Sequence, residues 1–304
     1  MMRAPAALDT PAPVPEAAAE PRRLLPQGTI VHAFLILGVL VFALPIYITL
    51  IGSTHDASTI GRGEVPLLPG AHMLDNYASA WSEGGGGART GFRVPVETML
   101  FNSLAMAVLI AVGKIAISLT SAYAVVFFAF PGRMLFFWLI FITLMLPVEV
   151  RIMPTFAVMV NLGMVNTFGG LVIPLIASAT ATLLFRQFFL TIPDELVEAA
   201  KMDGAGPLRF FKDVVVPLSM TNVAALFVIL FIYGYNQYLW PLLMVSDRSL
   251  ETIVVGITKM IGSGDAQSPW HVIMATTVMA LIPPVAVVIL MQRWFVKGLV
   301  ESEK

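Results

Sequence analysis

Six apolar runs, at about 30–51, 98–126, 134–156, 168–189, 214–245 and 271–295, leave this chain few folds to choose from. A helix needs about 20 apolar residues to cross a bilayer. Every run meets that length, and the second and fifth exceed it, so they have residues to spare for tilt or protrusion. Lipid offers no partner to a bare N–H or C=O, so open sheets are excluded and helices, which satisfy themselves, are favoured. The expected fold is all-α: a polytopic membrane protein with six transmembrane helices. Composition agrees, because only 12% of the 304 residues are charged, where a soluble domain carries about 25%.

Cations in short loops mark the cytoplasmic side. With the N-terminus inside, eleven of the 18 Lys and Arg fall in the tail, the second–third loop, the fourth–fifth loop and the C-terminus, among them Arg22, Arg23, Arg133, Lys201, Arg209 and Lys212. Five fall outside: Arg62, Arg89, Arg93, Arg248 and Lys259. Both termini are therefore expected in the cytoplasm. Residues 1–28 are rich in Ala and Pro and have no apolar stretch near the start. They read as a flexible cytoplasmic tail, not a signal peptide, ahead of a membrane domain over 29–304. The longest external loop, about 52–97, holds Asp75-Asn76-Tyr77 and Trp81, expected as an interfacial helix, and then a glycine-rich hairpin at Gly84–Gly87.

Between the fourth and fifth runs lies a compact polar stretch. Thr191 is expected to cap a helix with Pro193, Asp194 and Glu195 in its first turn. Leu196, Ala199 and Ala200 recur on one face, Gly204 ends the helix, and Pro207 opens a second short one. Small residues let another surface come close, and nothing here makes or breaks a covalent bond. The stretch reads as a docking knob; the plainer alternative is an ordinary amphipathic surface helix.

Two runs carry polar groups. Pro147, Glu149, Arg151 and Pro154 interrupt the third, where the prolines are expected to unwind the helix. A charge near mid-bilayer costs about 2.5–3.5 kcal/mol, so it faces protein or water. Either Glu149 and Arg151 neutralise each other or pair with a neighbouring span, or Arg151 offsets the charge of an anionic solute, since its planar fork suits phosphate. In the fifth, Tyr235, Asn236, Gln237 and Trp240 are candidate pathway residues, because amides and aromatic faces hold polyols. For Tyr238 and Trp240 the alternative is an interfacial aromatic belt. Pro241 is expected to kink this helix. Lys114, in the second run, either snorkels to the cytoplasmic face or pairs with an acid on a partner subunit. Ala177–Thr182 is a run of small residues suited to helix packing.

Several classes of chemistry are disfavoured. The chain has no cysteine, and its histidines, His32, His55, His72 and His271, lack metal-ligand spacing. No catalytic cluster, metal site or nucleic-acid-binding basic tract is visible. Gly113-Lys114 lacks the earlier glycine of a phosphate loop, so this chain is not expected to hydrolyse ATP. An autonomous ion-coupled transporter would carry inverted repeats and buried acids, and Glu149 is the one deep acid.

The spacing Glu198-Ala199-Ala200, Gly204, then Val214, Val216 and Pro217 resembles the coupling-loop motif of ABC importer permeases, with valines where that family has Ile and Leu. Asn102-Ser103, Ser121–Ala124, Pro193-Asp194-Glu195 and Asn236 with Pro241 extend the resemblance, over nearly the whole chain, to the carbohydrate-importer class. Tyr235 stands where that class usually has Trp. Phe141–Ile152, Phe185–Phe189, Asn236–Pro241 and Gly298–Lys304 are similar to the branch that imports sn-glycerol 3-phosphate. The resemblance implies that Glu198, Ala199, Ala200, Asp203, Gly204 and Pro217 couple the chain to an ATPase cleft. It implies a second homologous permease subunit, two ATP-binding subunits and a periplasmic solute-binding protein, assembled in a bacterial inner membrane. No cofactor is then bound by this chain; ATP and Mg belong to the partner ATPase. The implied substrate is sn-glycerol 3-phosphate, with glycerophosphodiesters besides, and a neutral sugar or polyol is the alternative.

Overall fold

The computed structural model describes residues 27–64, 66–84, 93–142, 148–261 and 268–301. Among them all regular structure is helical. The chain divides into two units, Met1–Pro45 and Ile46–Lys304. The described part of the first is the start of helix α1 (Gln27–Gly52), whose apolar side chains, Phe34 and Phe42 among them, are exposed.

The second unit continues through α2 (Ala57–Gly61), α3 (Met73–Glu83), α4 (Val96–Phe127), α5 (Arg133–Ile142), α6 (Val148–Asn161), α7 (Phe168–Val172) and α8 (Ala179–Phe189). It ends with α9 (Asp194–Met202), α10 (Pro207–Phe210), α11 (Val216–Leu218), α12 (Met220–Tyr235), α13 (Leu239–Met244), α14 (Ile253–Met260) and α15 (Trp270–Glu301).

Three helices are long and apolar enough to cross a bilayer unaided: Val31–Gly52, Val96–Phe127 and Trp270–Arg293. Two bent pairs, Phe168–Leu175 with Ala179–Phe189 at 47° and Pro207–Leu218 with Met220–Tyr235 at 70°, are long and apolar enough to cross if each is one span. The described residues thus hold three to five candidate crossings where six were expected. The bends have local causes. Pro174 sits in the 3₁₀ turn Ile173–Leu175, and Ser178 then caps α8 by accepting from the Ala181 N–H at 3.3 Å. Pro217, without an N–H, follows one turn of π-helix at Phe211–Val215. The third run appears as α5 and α6, and the expected unwinding at Pro147 lies outside the described residues. Pro154 does not unwind its helix; it sits inside α6.

Helix α4 is the axis of the packing. Its buried positions, Ser103, Met106, Ala107, Ile110, Ala111, Lys114, Ser118 and Ala122 among them, recur at three- and four-residue steps. Alanines and serines on that face let neighbours approach closely. A Cβ added at Gly234 of α12 would lie 3.0 Å from the Ala107 Cα. Ser118 Oγ donates to the Ser178 carbonyl at 3.1 Å, which joins the small-residue run to α4 as a packing element.

The two ends of α4 hold different things. At the start, Asn102 Nδ2 donates to the Ser249 and Glu251 carbonyls at 2.8 and 2.9 Å, and Ser103 Oγ accepts from the Ile253 N–H at 2.8 Å. Glu251 is itself buried and paired with Lys259 at 2.8 Å. At the other end, Tyr123 Oη donates to the Pro207 carbonyl at 2.7 Å. From Ser103 to Tyr123 is about 30 Å at 1.5 Å per residue, which is about the hydrocarbon thickness. Because a buried carbonyl left without its donor loses about 1–3 kcal/mol, Asn102→Ala is expected to lower the thermal unfolding midpoint of the detergent-purified complex by several degrees. Measurement by intrinsic fluorescence checks this, and an unchanged midpoint would remove Asn102 as the clamp.

The 52–97 segment forms helix α3 at the expected place, with Trp81 exposed on it. Asn76 on the same helix is buried instead. Its Nδ2 donates to the Ser53 and His55 carbonyls at 2.9 and 2.8 Å, closing the C-terminal end of α1.

Candidate functional site

Helix interruptions shape a concavity among the described residues. A cavity of about 380 Å³ is lined by Arg151, Ile152 and Thr155 of α6, by Pro174 and Leu175 of the 3₁₀ turn, and by Tyr233, Asn236, Gln237, Tyr238, Leu239 and Trp240 around the gap between α12 and α13. That volume falls within the about 300–1,000 Å³ usual for small-molecule sites. Irregular backbone at membrane depth is tolerated where it lines a cavity or is buried in protein.

Four sequence candidates meet here. Arg151 and Asn236 are exposed, Gln237 is half-buried, and Trp240 is buried. Trp240 Nε1 donates to the Gly170 carbonyl at 3.1 Å, which pins the ring against α7. A side chain at Gly170 would put its Cβ 2.1 Å from the Met164 carbonyl oxygen. Gln237 Nε2 donates to the Tyr233 carbonyl at 3.0 Å across the end of α12. Trp240 belongs to an apolar cluster with Met106, Ile110, Met159, Leu171, Met244 and Val245, and Ile152, Leu175 and Tyr233 of the lining pack against it. The expected kink at Pro241 is displaced: the chain leaves the helix at Asn236–Tyr238, and Pro241 sits in the first turn of α13, where its missing N–H costs nothing.

Of the remaining two candidates, Tyr235 lies elsewhere. Tyr235 is 4% exposed and its hydroxyl donates to the Ala280 carbonyl at 2.9 Å, so it ties α12 to α15 and does not line the cavity. The side chain of Glu149 lies outside the described residues. Sequence reading passed over Tyr233 and Thr155. Tyr233 is four residues before Gln237 and Thr155 four after Arg151, so helical spacing alone places each beside its candidate. Thr155 Oγ1 donates to the Arg151 carbonyl at 2.7 Å.

The polar knob is a separate feature. Helix α9 starts after Pro193, and Asp194 and Glu195 occupy its first turn, where the helix dipole favours acids. Thr191 does not cap it; the Thr191 hydroxyl donates to the Phe188 carbonyl at 2.7 Å and closes the preceding helix. The helix ends through Gly204 at φ +72°, with the Gly204 N–H on Lys201 O at 3.0 Å and the Ala205 N–H on Ala200 O at 2.9 Å. Pro207 then begins α10. The face against the protein is Val197 and Ala200, with Ile192 ahead of them. Leu196 and Ala199, expected to share the Ala200 face, are exposed, as are Glu198, Asp203, Gly204 and Pro217. Met202 and Leu208 are 86% and 80% exposed, an apolar complement that the spacing did not reveal. Tyr123 and Phe127 at the end of α4 meet Phe210 and Phe211 through tilted and edge-on rings, with Tyr123 and Phe211 centroids 4.7 Å apart.

Residues 103–301 match the family model of the binding-protein-dependent transport system inner membrane component. The chain is 58% identical, over 273 residues, to the sn-glycerol-3-phosphate transport system permease protein UgpE of Rhizobium meliloti strain 1021, covering 90% of this chain and 96% of that protein. The UgpE of Brucella melitensis biotype 1 gives the same identity and coverage. A solved structure of a bacterial ABC transporter involved in the import of the acidic polysaccharide alginate has a similar fold, with a TM-score of 0.76 at 24% identity, covering 88% of this chain and 96% of that one. With the family model spanning well over half of it and near relatives aligned along almost its full length, this chain belongs to the inner membrane components of binding-protein-dependent transport systems.

Proposed function

We propose that this chain is one of two permease subunits that form the path for sn-glycerol 3-phosphate in an ATP-driven importer of a bacterial inner membrane. The observation that carries the reading is Arg151 facing the same cavity as Asn236 and Gln237. A guanidinium gives a phosphate two parallel charge-assisted hydrogen bonds, and amides suit the glycerol hydroxyls. The names of the UgpE relatives agree with that chemistry.

In this reading α5 and α6 together make the third crossing, giving six, with both termini and the Glu198 knob in the cytoplasm. A periplasmic binding protein delivers the substrate on the other side. Two ATPase subunits close on ATP and pull the knob through Glu198, Ala199, Ala200, Asp203 and Gly204, with Pro217 at the bend that follows. The spans then rock between outward- and inward-open states. The chain itself supplies positioning and charge, and the partner ATPase supplies ATP and Mg. The test is uptake of labelled sn-glycerol 3-phosphate by the reconstituted complex. Unlabelled sn-glycerol 3-phosphate is expected to compete and maltose is not; competition by maltose alone would move the reading to a neutral sugar.

A further inference from the structure

Lys114 lies eleven residues beyond Ser103 and nine before Tyr123 on α4, or about 16 and 14 Å along the axis at 1.5 Å per residue. It is therefore near the middle of the membrane, and it is only 7% exposed. A charge at that depth needs compensation. Its Nζ stands 3.8 Å over the centroid of the Tyr233 ring, close enough for the ring's negative face to hold it. Among the described residues no carboxylate comes within ion-pair distance of Lys114 or of Arg151.

Tyr233 is a wall of the cavity, and Arg151 is another. One small space therefore has a guanidinium on its surface and an ammonium behind an aromatic wall, and like charges gathered around one space repel. A neutral polyol relieves none of it, and a singly charged phosphodiester relieves part. A phosphate monoester carries close to two negative charges above its second ionisation, at about pH 6.

We propose that Lys114 is a specificity-determining residue which, acting with Arg151, makes the cavity favour a doubly charged phosphate monoester over its singly charged form and over neutral polyols. The proposal rests on the cavity being the transport path. Lys114 acts through space from behind Tyr233, so its effect follows the charge of the solute, not its shape.

The test uses the whole complex in proteoliposomes with its binding protein, at about pH 5 and about pH 7.5. Initial uptake of labelled sn-glycerol 3-phosphate by Lys114→Met and by Lys114→Gln is divided by wild-type uptake at the same pH, which cancels any pH dependence of the binding protein. The ratio is expected to be about one tenth at the higher pH, the effect of one charge felt through a wall of low dielectric. At the lower pH, where the substrate is singly charged, the ratio rises several-fold. Lys114→Arg is expected to stay within a factor of a few of wild type at both. A ratio that is equal at the two pH values, or neutral variants within twofold of wild type, would overturn the proposal. Arg151→Leu in the same assay separates the two readings. If it loses uptake while the Lys114 variants do not, the cavity stands and Lys114 has no selective role; if wild-type complex takes up no sn-glycerol 3-phosphate, the proposed function itself fails.

Discussion

Gly204→Val is expected to reduce ATP-driven uptake by the reconstituted complex at least tenfold while leaving the subunit assembled. Gly204 has φ +72°, and its substitution adds no clash, because a Cβ there has no heavy atom within 4 Å. The effect is confined to the backbone. An L-residue in the left-handed region loses about 1–2 kcal/mol, and a β-branched one fares worse. A penalty of about 1.4 kcal/mol is a tenfold shift in population. The turn that opposes it is held by the Gly204 and Ala205 N–H bonds to Lys201 and Ala200, and by Tyr123 on Pro207. Straining it displaces α9 and exposed Met202 from the position a partner would meet. Gly204→Asn is the control, since asparagine tolerates this conformation, and it is expected to stay within about threefold of wild type. Equal uptake by Gly204→Val and wild type would mean that the knob does not transmit motion.

Arg151→Leu is expected to lower sn-glycerol 3-phosphate uptake by about 10- to 150-fold, the loss of a hydrogen bond to a charged group at about 1.5–3 kcal/mol. Arg151→Lys should recover part of it, because lysine restores the charge and not the planar fork. ATP hydrolysis stimulated by the loaded binding protein should change far less in both variants. That contrast distinguishes a solute contact from a fold defect: Arg151 is exposed at the cavity and makes no ion pair with a described carboxylate, so its removal leaves no buried partner stranded. Parallel loss of ATPase stimulation and uptake would point to a structural role instead.

Much of the knob was legible because its signals are short-range. Asp194 and Glu195 after a proline, and Gly204 eight residues on from Leu196, mark a helix start and stop without reference to the rest of the chain. The face was harder to read. Leu196, Ala199 and Ala200 share a helical stripe, yet Val197 and Ala200 meet the protein, since the direction of approach is set by the end of α4 and by Phe210. Tyr235 was chosen for its neighbours in sequence, whereas the four-residue step from Tyr233 to Gln237 identifies the side of α12 that turns to the cavity. Asn76 and Asn102 gave no local sign of what they hold, because their carbonyl partners lie 21 to 149 residues away.

The sequence by itself determined that the chain is helical and membrane-bound, because apolar length and backbone hydrogen bonding in lipid are decided segment by segment. It also determined where the turn after α9 falls, since a positive φ demands glycine at one position. Only the tertiary structure decided that Arg151, Tyr233, Asn236 and Trp240 meet, and that Lys114 stands behind one of them. Lys114, Arg151 and the Tyr233–Trp240 stretch come from separate parts of the chain, and their convergence depends on where α6, α7 and α12 begin or break against α4, which no local pattern encodes.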